Sequence, residues 1–210
     1  MVRLVLSVLG GLLLGTVSLL SAQDWPVRQV LPSLGRMEVV SAGGEEVETF
    51  CTSVAISKTI ALTAAHCISE TPGDQHFIDG NRASVPLDAN PIGDILPLRV
   101  DRPLLKPITL GPEPRVGDQL FTFGYGMNAP QPFMFTGALL SLRMTTPSGE
   151  ETLMFMSISN VPGMSGGPVT NSQGGLVALI VGAFNPSGHL QNIGTATLYA
   201  DLKAAWAKWR

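Results

Sequence analysis

Glycine and proline cut this chain into short pieces. Its 210 residues include 23 Gly and 16 Pro, and the apolar runs between them are mostly of strand length. Frequent turn signals between short apolar runs predict an all-β sandwich or barrel, not a helical bundle. Hydrophobic residues make up 45% and charged residues 14%, which excludes a disordered polar chain and supplies a core. The net charge is −3 and no basic cluster is present, so nothing in the chain has the electrostatic footprint of a nucleic-acid partner.

The first 22 residues stand apart. Arg3 is the only charged residue before Asp24, and an apolar run from Leu4 to Leu20 ends in Ser21-Ala22. A positive start, an apolar centre and a small-residue end make a signal peptide over 1–22, cut after Ala22. The competing reading is an uncleaved membrane anchor at 4–20, since the run approaches the length of a short span. Either way the body of the protein, 23–210, is expected outside the cytoplasm, secreted or periplasmic, with a membrane as partner only if the leader stays. The two cysteines, Cys51 and Cys67, fit that compartment as one disulfide; two buried thiols are the alternative.

Patterning predicts two strand-rich halves, about 23–108 and 109–197. In the first, Val47–Ile56 and Ile60–Thr63 flank a tight turn at Ser57-Lys58 and read as a hairpin. Residues 23–46 show no clear period, and 69–93 read as polar loops. Ile95–Val100 is a short strand interrupted by Pro97. After Gly111-Pro-Glu-Pro114, a linker, six strands are expected: Gln119–Tyr125, Met134–Leu142, Thr152–Ser159, Pro168–Thr170, Leu176–Phe184 and Ile193–Thr197. At the end the period changes. Leu202, Trp206 and Trp209 share one helical face over 198–210, which predicts an amphipathic helix packed on the body.

The chemistry concentrates at two places. Pro162-Gly-Met-Ser165-Gly-Gly-Pro168 surrounds a serine with glycines. A serine hydroxyl is a poor nucleophile unless its position is fixed and a base takes its proton, and nearby amides must reach the oxyanion that forms. Gly163 and Gly166-Gly167 leave room for both. Alone, the heptapeptide is equally a glycine-rich turn. The second place is Thr63-Ala-Ala-His66-Cys67, where small residues bring a histidine out of a strand beside a cysteine. The other two histidines, His76 and His189, lie in polar stretches without that setting.

Together these motifs resemble the trypsin/chymotrypsin-like serine peptidases. Cys51-Thr-Ser-Val-Ala-Ile through Thr59-Ile-Ala-Leu-Thr-Ala-Ala-His66-Cys67 is similar to the histidine-loop signature of that family, and Gly163-Met-Ser165-Gly-Gly-Pro to its nucleophile signature. The acid of the family opens a motif like Asp94-Ile-Leu-Pro-Leu98, with Asp88 and Asp101 as runners-up. The order His, Asp, Ser is that of the chymotrypsin template. The compact spacing is closest to bacterial HtrA/Deg-type protease domains. Arg115-Val-Gly-Asp118 and Thr136-Gly-Ala-Leu-Leu-Ser141 also resemble second-barrel strands of that group.

The resemblance implies two packed six-stranded antiparallel β-barrels with a C-terminal helix. It implies His66 as base, Asp94 as orienting carboxylate and Ser165 as nucleophile, with the Gly163 and Ser165 N–H groups as oxyanion hole. It implies a polypeptide substrate and neither metal nor cofactor, and no residue cluster has metal-ligand spacing. Ser159, Val181, Gly182 and Ala183 would line the specificity pocket; with no acid there, small or medium apolar P1 residues are expected. A pocket role for His189 would instead favour acidic residues. Met164 stands where animal zymogens carry an acid, so activation by pairing with a new amino terminus is not expected. Two other classes compete: a catalytically silent binding protein on the same fold, disfavoured by the intact His66 and Ser165, and an esterase, whose usual scaffold has the order Ser, Asp, His.

Overall fold

The computed structural model describes residues 25–43, 47–103, 106–127, 129–145, 152–184 and 193–210. The expected leader at 1–22 and His189 lie outside the described residues. Helix α1 (Trp25–Val30) leads into a first closed barrel of β1 (Leu34–Val40), β2 (Val47–Ala55), β3 (Ile60–Ala64), β4 (Gln75–Ile78), β5 (Asn81–Ser84) and β6 (Ile95–Val100). The second closed barrel holds β7 (Gln119–Gly124), β8 (Phe133–Thr145), β9 (Thr152–Met156), β10 (Pro168–Thr170), β11 (Leu176–Ala183) and β12 (Gly194–Ala196), followed by helix α2 (Tyr199–Trp209). Strand orders are β1-β2-β3-β6-β5-β4 and β10-β11-β12-β9-β8-β7, all neighbours antiparallel. The architecture is all-β, two six-stranded barrels and a terminal helix, as expected.

The first barrel has three strands that patterning missed. β1 alternates inward Gly35, Met37 and Val39 with outward Arg36 and Glu38, and those two outward side chains pair at 3.3 Å. A glycine at an inward position hides the alternation. It is needed there, because a Cβ on Gly35 would sit 2.3 Å from Ile78 Cγ2 and 2.7 Å from Ser53 Oγ. β4 and β5 are four residues each and mostly polar or exposed, too short for a period to emerge. Pro97 does not interrupt β6: it stays in register with Leu62 of β3. On its other side β5 reaches only Arg99 and Val100, so Pro97 lies on a stretch with one ladder partner, where a missing N–H is tolerated.

Three apolar clusters carry the packing. Met37, Ile78, Ala61 and Leu98 fill the first barrel together with Cys51 and Cys67. Leu120, Met154, Met156, Ile158, Met164 and Ile180 fill the second. The third lies between them: Val54, Ile56, Leu62 and Ile95 from the first barrel meet Phe123, Leu176 and Leu179 from the second, and α2 adds Leu202, Ala205 and Trp206. The helix packs its apolar face on the body, as its period predicted, and the place it takes is the seam. Burying such faces, at about 25 cal/mol per Å², is what joins the barrels. No helix among the described residues is long and apolar enough to cross a membrane.

Candidate active site

Strand pairing brings the histidine and the acid together. β3 and β6 run antiparallel with Ala64 opposite Ile95, so the residues just after Ala64 face the residue just before Ile95. Beyond Ala64 the chain makes a 3-10 turn over Ala65–Cys67, and Cys67 is bonded to Cys51 of β2 with S–S 2.01 Å. Asp94 clamps that turn three ways. Its carbonyl accepts the Ala65 N–H at 3.1 Å, its Oδ1 accepts the His66 N–H at 3.1 Å, and its Oδ2 lies 2.7 Å from His66 Nδ1. A carboxylate oxygen is an acceptor, so Nδ1 donates, and in the neutral ring Nε2 keeps its lone pair. The Asp94 side chain is 18% exposed and that of His66 47%, leaving the imidazole open to an incoming molecule. Asp88 and Asp101 are exposed. Asp101 follows the far end of β6, about 20 Å along the strand from Asp94 at 3.3 Å per residue.

The serine is held by backbone instead. Gly163 and Gly166 have φ of +96° and +79°, a region side chains rarely adopt. The turn closes on itself through Met164 N–H to Val161 C=O at 3.1 Å and Gly167 N–H to Met164 C=O at 2.9 Å, while Gly166 N–H donates to Ile180 C=O at 2.8 Å. The Met164 side chain is fully buried in the second barrel. Across the seam, Thr52 N–H donates to Ser165 C=O at 2.9 Å. A Cβ on Gly166 would meet Thr52 O and Thr63 Oγ1 at 2.3 Å and Ala64 N at 2.7 Å, so the Ser165 loop lies against the very end of β3. Cys67 Sγ is 3.8 Å from Ser165 O. Ser165 Oγ itself donates to the Val181 carbonyl at 3.0 Å.

Next to Ser165 is a cleft of about 190 Å³, bounded by Asn160, Val161 and Pro162 on one side and Ile180, Gly182 and Ala183 on the other. Of the four expected pocket residues, Gly182 and Ala183 lie on its wall. Val181 contributes its carbonyl to Ser165, and Ser159 is half-buried beside the cleft without lining it. The residue that sequence reading missed is Asn160. Its Nδ2 donates to Gly182 C=O at 2.8 Å, and a Cβ on Gly194 would come within 2.6 Å of it. The carboxamide is thus bonded to β11 and packed close to β12, with Oδ1 buried and unpartnered among the described residues. A somewhat larger cavity, about 230 Å³, opens beside Ser53 and Asp79; it contains none of the histidine, aspartate or serine above, so chemistry and not volume locates the site. Among the described residues no group of three or more His, Cys, Asp or Glu could hold a metal.

Two barrels with a clamped histidine on one and a glycine-turned serine on the other define a chymotrypsin-like hydrolase. The chain belongs to the trypsin-like peptidase family: the family model described as trypsin-like peptidase domain matches residues 51–179, a span that includes His66, Asp94 and Ser165, and the protein is a serine-type peptidase. Among solved structures it is similar in fold to the Rv3671c protease from M. tuberculosis in its active form, with 19% identity, a TM-score of 0.73, and coverage of 89% of this chain and 85% of that one. The inactive form of the Rv3671c protease matches with 17% identity, a TM-score of 0.70, and coverage of 89% and 93%. The serine endoprotease from Yersinia pestis matches with 20% identity, a TM-score of 0.69, and coverage of 88% of this chain and 65% of that one. No curated protein matches by sequence.

Proposed function

We propose that the chain is an endopeptidase that cleaves peptide bonds through an acyl-enzyme, with Ser165 as nucleophile, His66 as general base and acid, and Asp94 as the group that orients it. The observation that carries this reading is the 2.7 Å contact between His66 Nδ1 and Asp94 Oδ2, placed where the nucleophile turn abuts the end of β3. During attack the Ser165 proton leaves the Val181 carbonyl for His66 Nε2 as Oγ bonds to the substrate carbonyl carbon. The C–N bond then breaks, and the proton passes from His66 to the departing amine. Water repeats the sequence to release the acid. The Gly163 and Ser165 N–H groups hold the oxyanion. In support, the carbonyls on the other side of their peptide planes, Pro162 and Met164, are held by Met127 N–H at 2.8 Å and Gly167 N–H at 2.9 Å, which fixes both planes.

For the substrate we propose small apolar P1 side chains. The cleft is small, about 190 Å³, Asn160 lines it with its carboxamide tied to Gly182 C=O, and no charged side chain lines it. A buried Lys or Arg would have no counter-charge there. The polypeptide is proposed to act outside the cytoplasm, with residues 1–22 as export signal or, if retained, anchor. The Cys51–Cys67 bond is consistent with that compartment.

The test is labelling with a fluorophosphonate followed by mass mapping. The modified residue should be Ser165, and Ser165→Ala should lose both labelling and proteolysis; labelling of another serine would sink the assignment. Peptide libraries cut by the wild type should show Ala or Val at P1, and Asn160→Gly should admit larger residues such as Leu and Phe. A dominant Lys, Arg or Glu signal, or an unchanged preference in Asn160→Gly, would reject the pocket.

A further inference from the structure

We propose that Thr52, on the first barrel, is a positioning residue that presets the oxyanion hole of the second; the proposal rests on the reading of Ser165 as nucleophile. The residue before that serine, Met164, has no charge and is buried in apolar surroundings, so no ion pair at that position can order the turn. Thr52 is also fully buried and sits next to Cys51 in β2. Its hydroxyl donates to Gly163 C=O at 3.0 Å and accepts the Tyr125 N–H at 2.8 Å. One hydroxyl proton serves one acceptor, and the partners are a carbonyl and an N–H, so the direction of both bonds is fixed. The backbone on either side is tied as well: Thr52 N–H donates to Ser165 C=O at 2.9 Å and Thr52 C=O accepts from Thr63 Oγ1 at 2.9 Å.

The consequence falls on Gly163. Its φ is +96°, and two peptide planes meet at it. The plane that carries its N–H has its carbonyl, Pro162, held by Met127 N–H at 2.8 Å. The plane after it has its carbonyl held by the Thr52 hydroxyl. Met127 has a positive φ of +52°, and its segment starts at Tyr125, which hangs from the same hydroxyl. A single side-chain oxygen therefore fixes the plane that follows the oxyanion donor and, through Tyr125–Met127, the plane that carries it. The segments are in close contact: a Cβ on Gly163 would lie 2.6 Å from Tyr125 O, and one on Gly124 2.9 Å from Thr52 Oγ1. Removing the hydroxyl takes the partner from a part-buried donor and a part-buried acceptor at once, and nothing else then fixes their planes in this geometry.

Thr52→Val keeps the shape and deletes both bonds; Thr52→Ser keeps both bonds and deletes the methyl. The expected result is a fall in kcat of about 10–100-fold for Thr52→Val, somewhat less than the loss of an oxyanion donor itself. KM and the affinity of Thr52→Val/Ser165→Ala for an uncleaved peptide should stay within about threefold, as expected for a loss confined to the transition state. A peptide boronate, which forms a tetrahedral adduct on Ser165, should bind more weakly by the same factor as kcat/KM. Thr52→Ser should stay near wild type, and Thr52→Ala should repeat the loss if Thr52→Val does not fold. Equal losses in Thr52→Val and Thr52→Ser, or a folded Thr52→Val with wild-type kcat, would overturn the proposal. A wild type whose Ser165 is not labelled by fluorophosphonate would overturn the nucleophile assignment first, and that outcome is distinct from labelled protein in which Thr52→Val changes nothing.

Discussion

The two barrels hold their halves of the site by different means. The first presents side-chain atoms from strand ends: pairing of β3 with β6 places His66 beside Asp94, and the Cys51–Cys67 bond pins the turn between them and β2. The second presents backbone: Ser165 is set by glycines whose missing Cβ atoms allow contact with Thr52, Thr63, Ala64 and Phe123. In the first half the chemistry can be removed while the fold stays. In the second, fold and chemistry share the same atoms. That division sets the expected consequences of substitution.

After Ser165→Ala, the largest effect on turnover is expected from Asp94→Asn. The amide oxygen can still accept the His66 N–H, so the melting temperature should change little. The amide NH₂ now faces Nδ1, which moves the ring proton to Nε2 and removes the proposed base. By analogy with other triads kcat should drop by about 10⁴, or about 5 kcal/mol of barrier. Steady-state kinetics and calorimetry on the same preparation test this. If Asp101→Asn is crippled and Asp94→Asn is not, the acid has been misassigned.

Gly166→Ala should behave in the opposite way, losing stability and activity together. The methyl would meet Thr52 O, Thr63 Oγ1 and Ala64 N at 2.7 Å or less, at a φ of +79°. None of these is the flexible end of a long side chain, so the barrels must part or the turn must rearrange. A destabilisation of about 4 kcal/mol is expected, at the severe end for a point substitution. Denaturant unfolding measures it. An active Gly166→Ala of wild-type stability would show that the serine turn is not wedged against β3, and the contrast between the halves would fail.

The same contrast explains what was legible in the sequence. The serine and histidine motifs, the hairpin of β2 and β3, and every strand of the second barrel could be read, because apolar alternation and glycine spacing are local signals. β1, β4 and β5 could not: an inward Gly35 broke the alternation in one, and four residues with a single buried position each are too few to reveal it in the others. Thr52 and Asn160 were invisible for another reason. Thr52 acts on Gly163, 111 positions away, and Asn160 on Gly182, 22 away. Their roles are defined by what the fold places opposite them, and no local pattern encodes that. Ser159 is the pocket residue that the resemblance implies, while its neighbour Asn160 is the one that lines the cleft.

Reducing the Cys51–Cys67 bond should have an intermediate effect. The cysteines are 16 positions apart, and releasing a loop of that size costs about 3 kcal/mol in the chain-entropy model. Activity of the reduced, still folded protein should fall only severalfold, because Asp94 continues to hold the turn by three hydrogen bonds, two of them to His66. Non-reducing peptide mapping should find the two peptides joined. Two free thiols in the native protein, or full loss of turnover on reduction without unfolding, would assign the turn's order to the wrong clamp.

The smallest effect concerns His76 of β4, and it tests whether the first barrel's loops support the site through neutral hydrogen bonding. His76 Nε2 accepts the Ser69 N–H at 3.1 Å, two residues beyond Cys67, so it props the segment that leaves the His66 turn. Partial burial lowers its pKa below the ordinary 6.5, outweighing the pull of Asp74 in the other direction. A lowered folded-state pKa means the unfolded chain takes up the proton first as the pH falls. The stabilising share of His76 is then complete above about 6.5 and is lost as the pH falls from there through the lowered folded value. His76→Gln keeps an acceptor for Ser69 but cannot titrate. Between pH 7.5 and 5.5 the melting temperature of the wild type should therefore decline more than that of His76→Gln, and the difference between the two curves removes the other titrating groups common to both. Parallel curves would mean that His76 is solvated freely enough to accept its proton in the folded protein, and that the Ser69 bond does nothing to hold the turn.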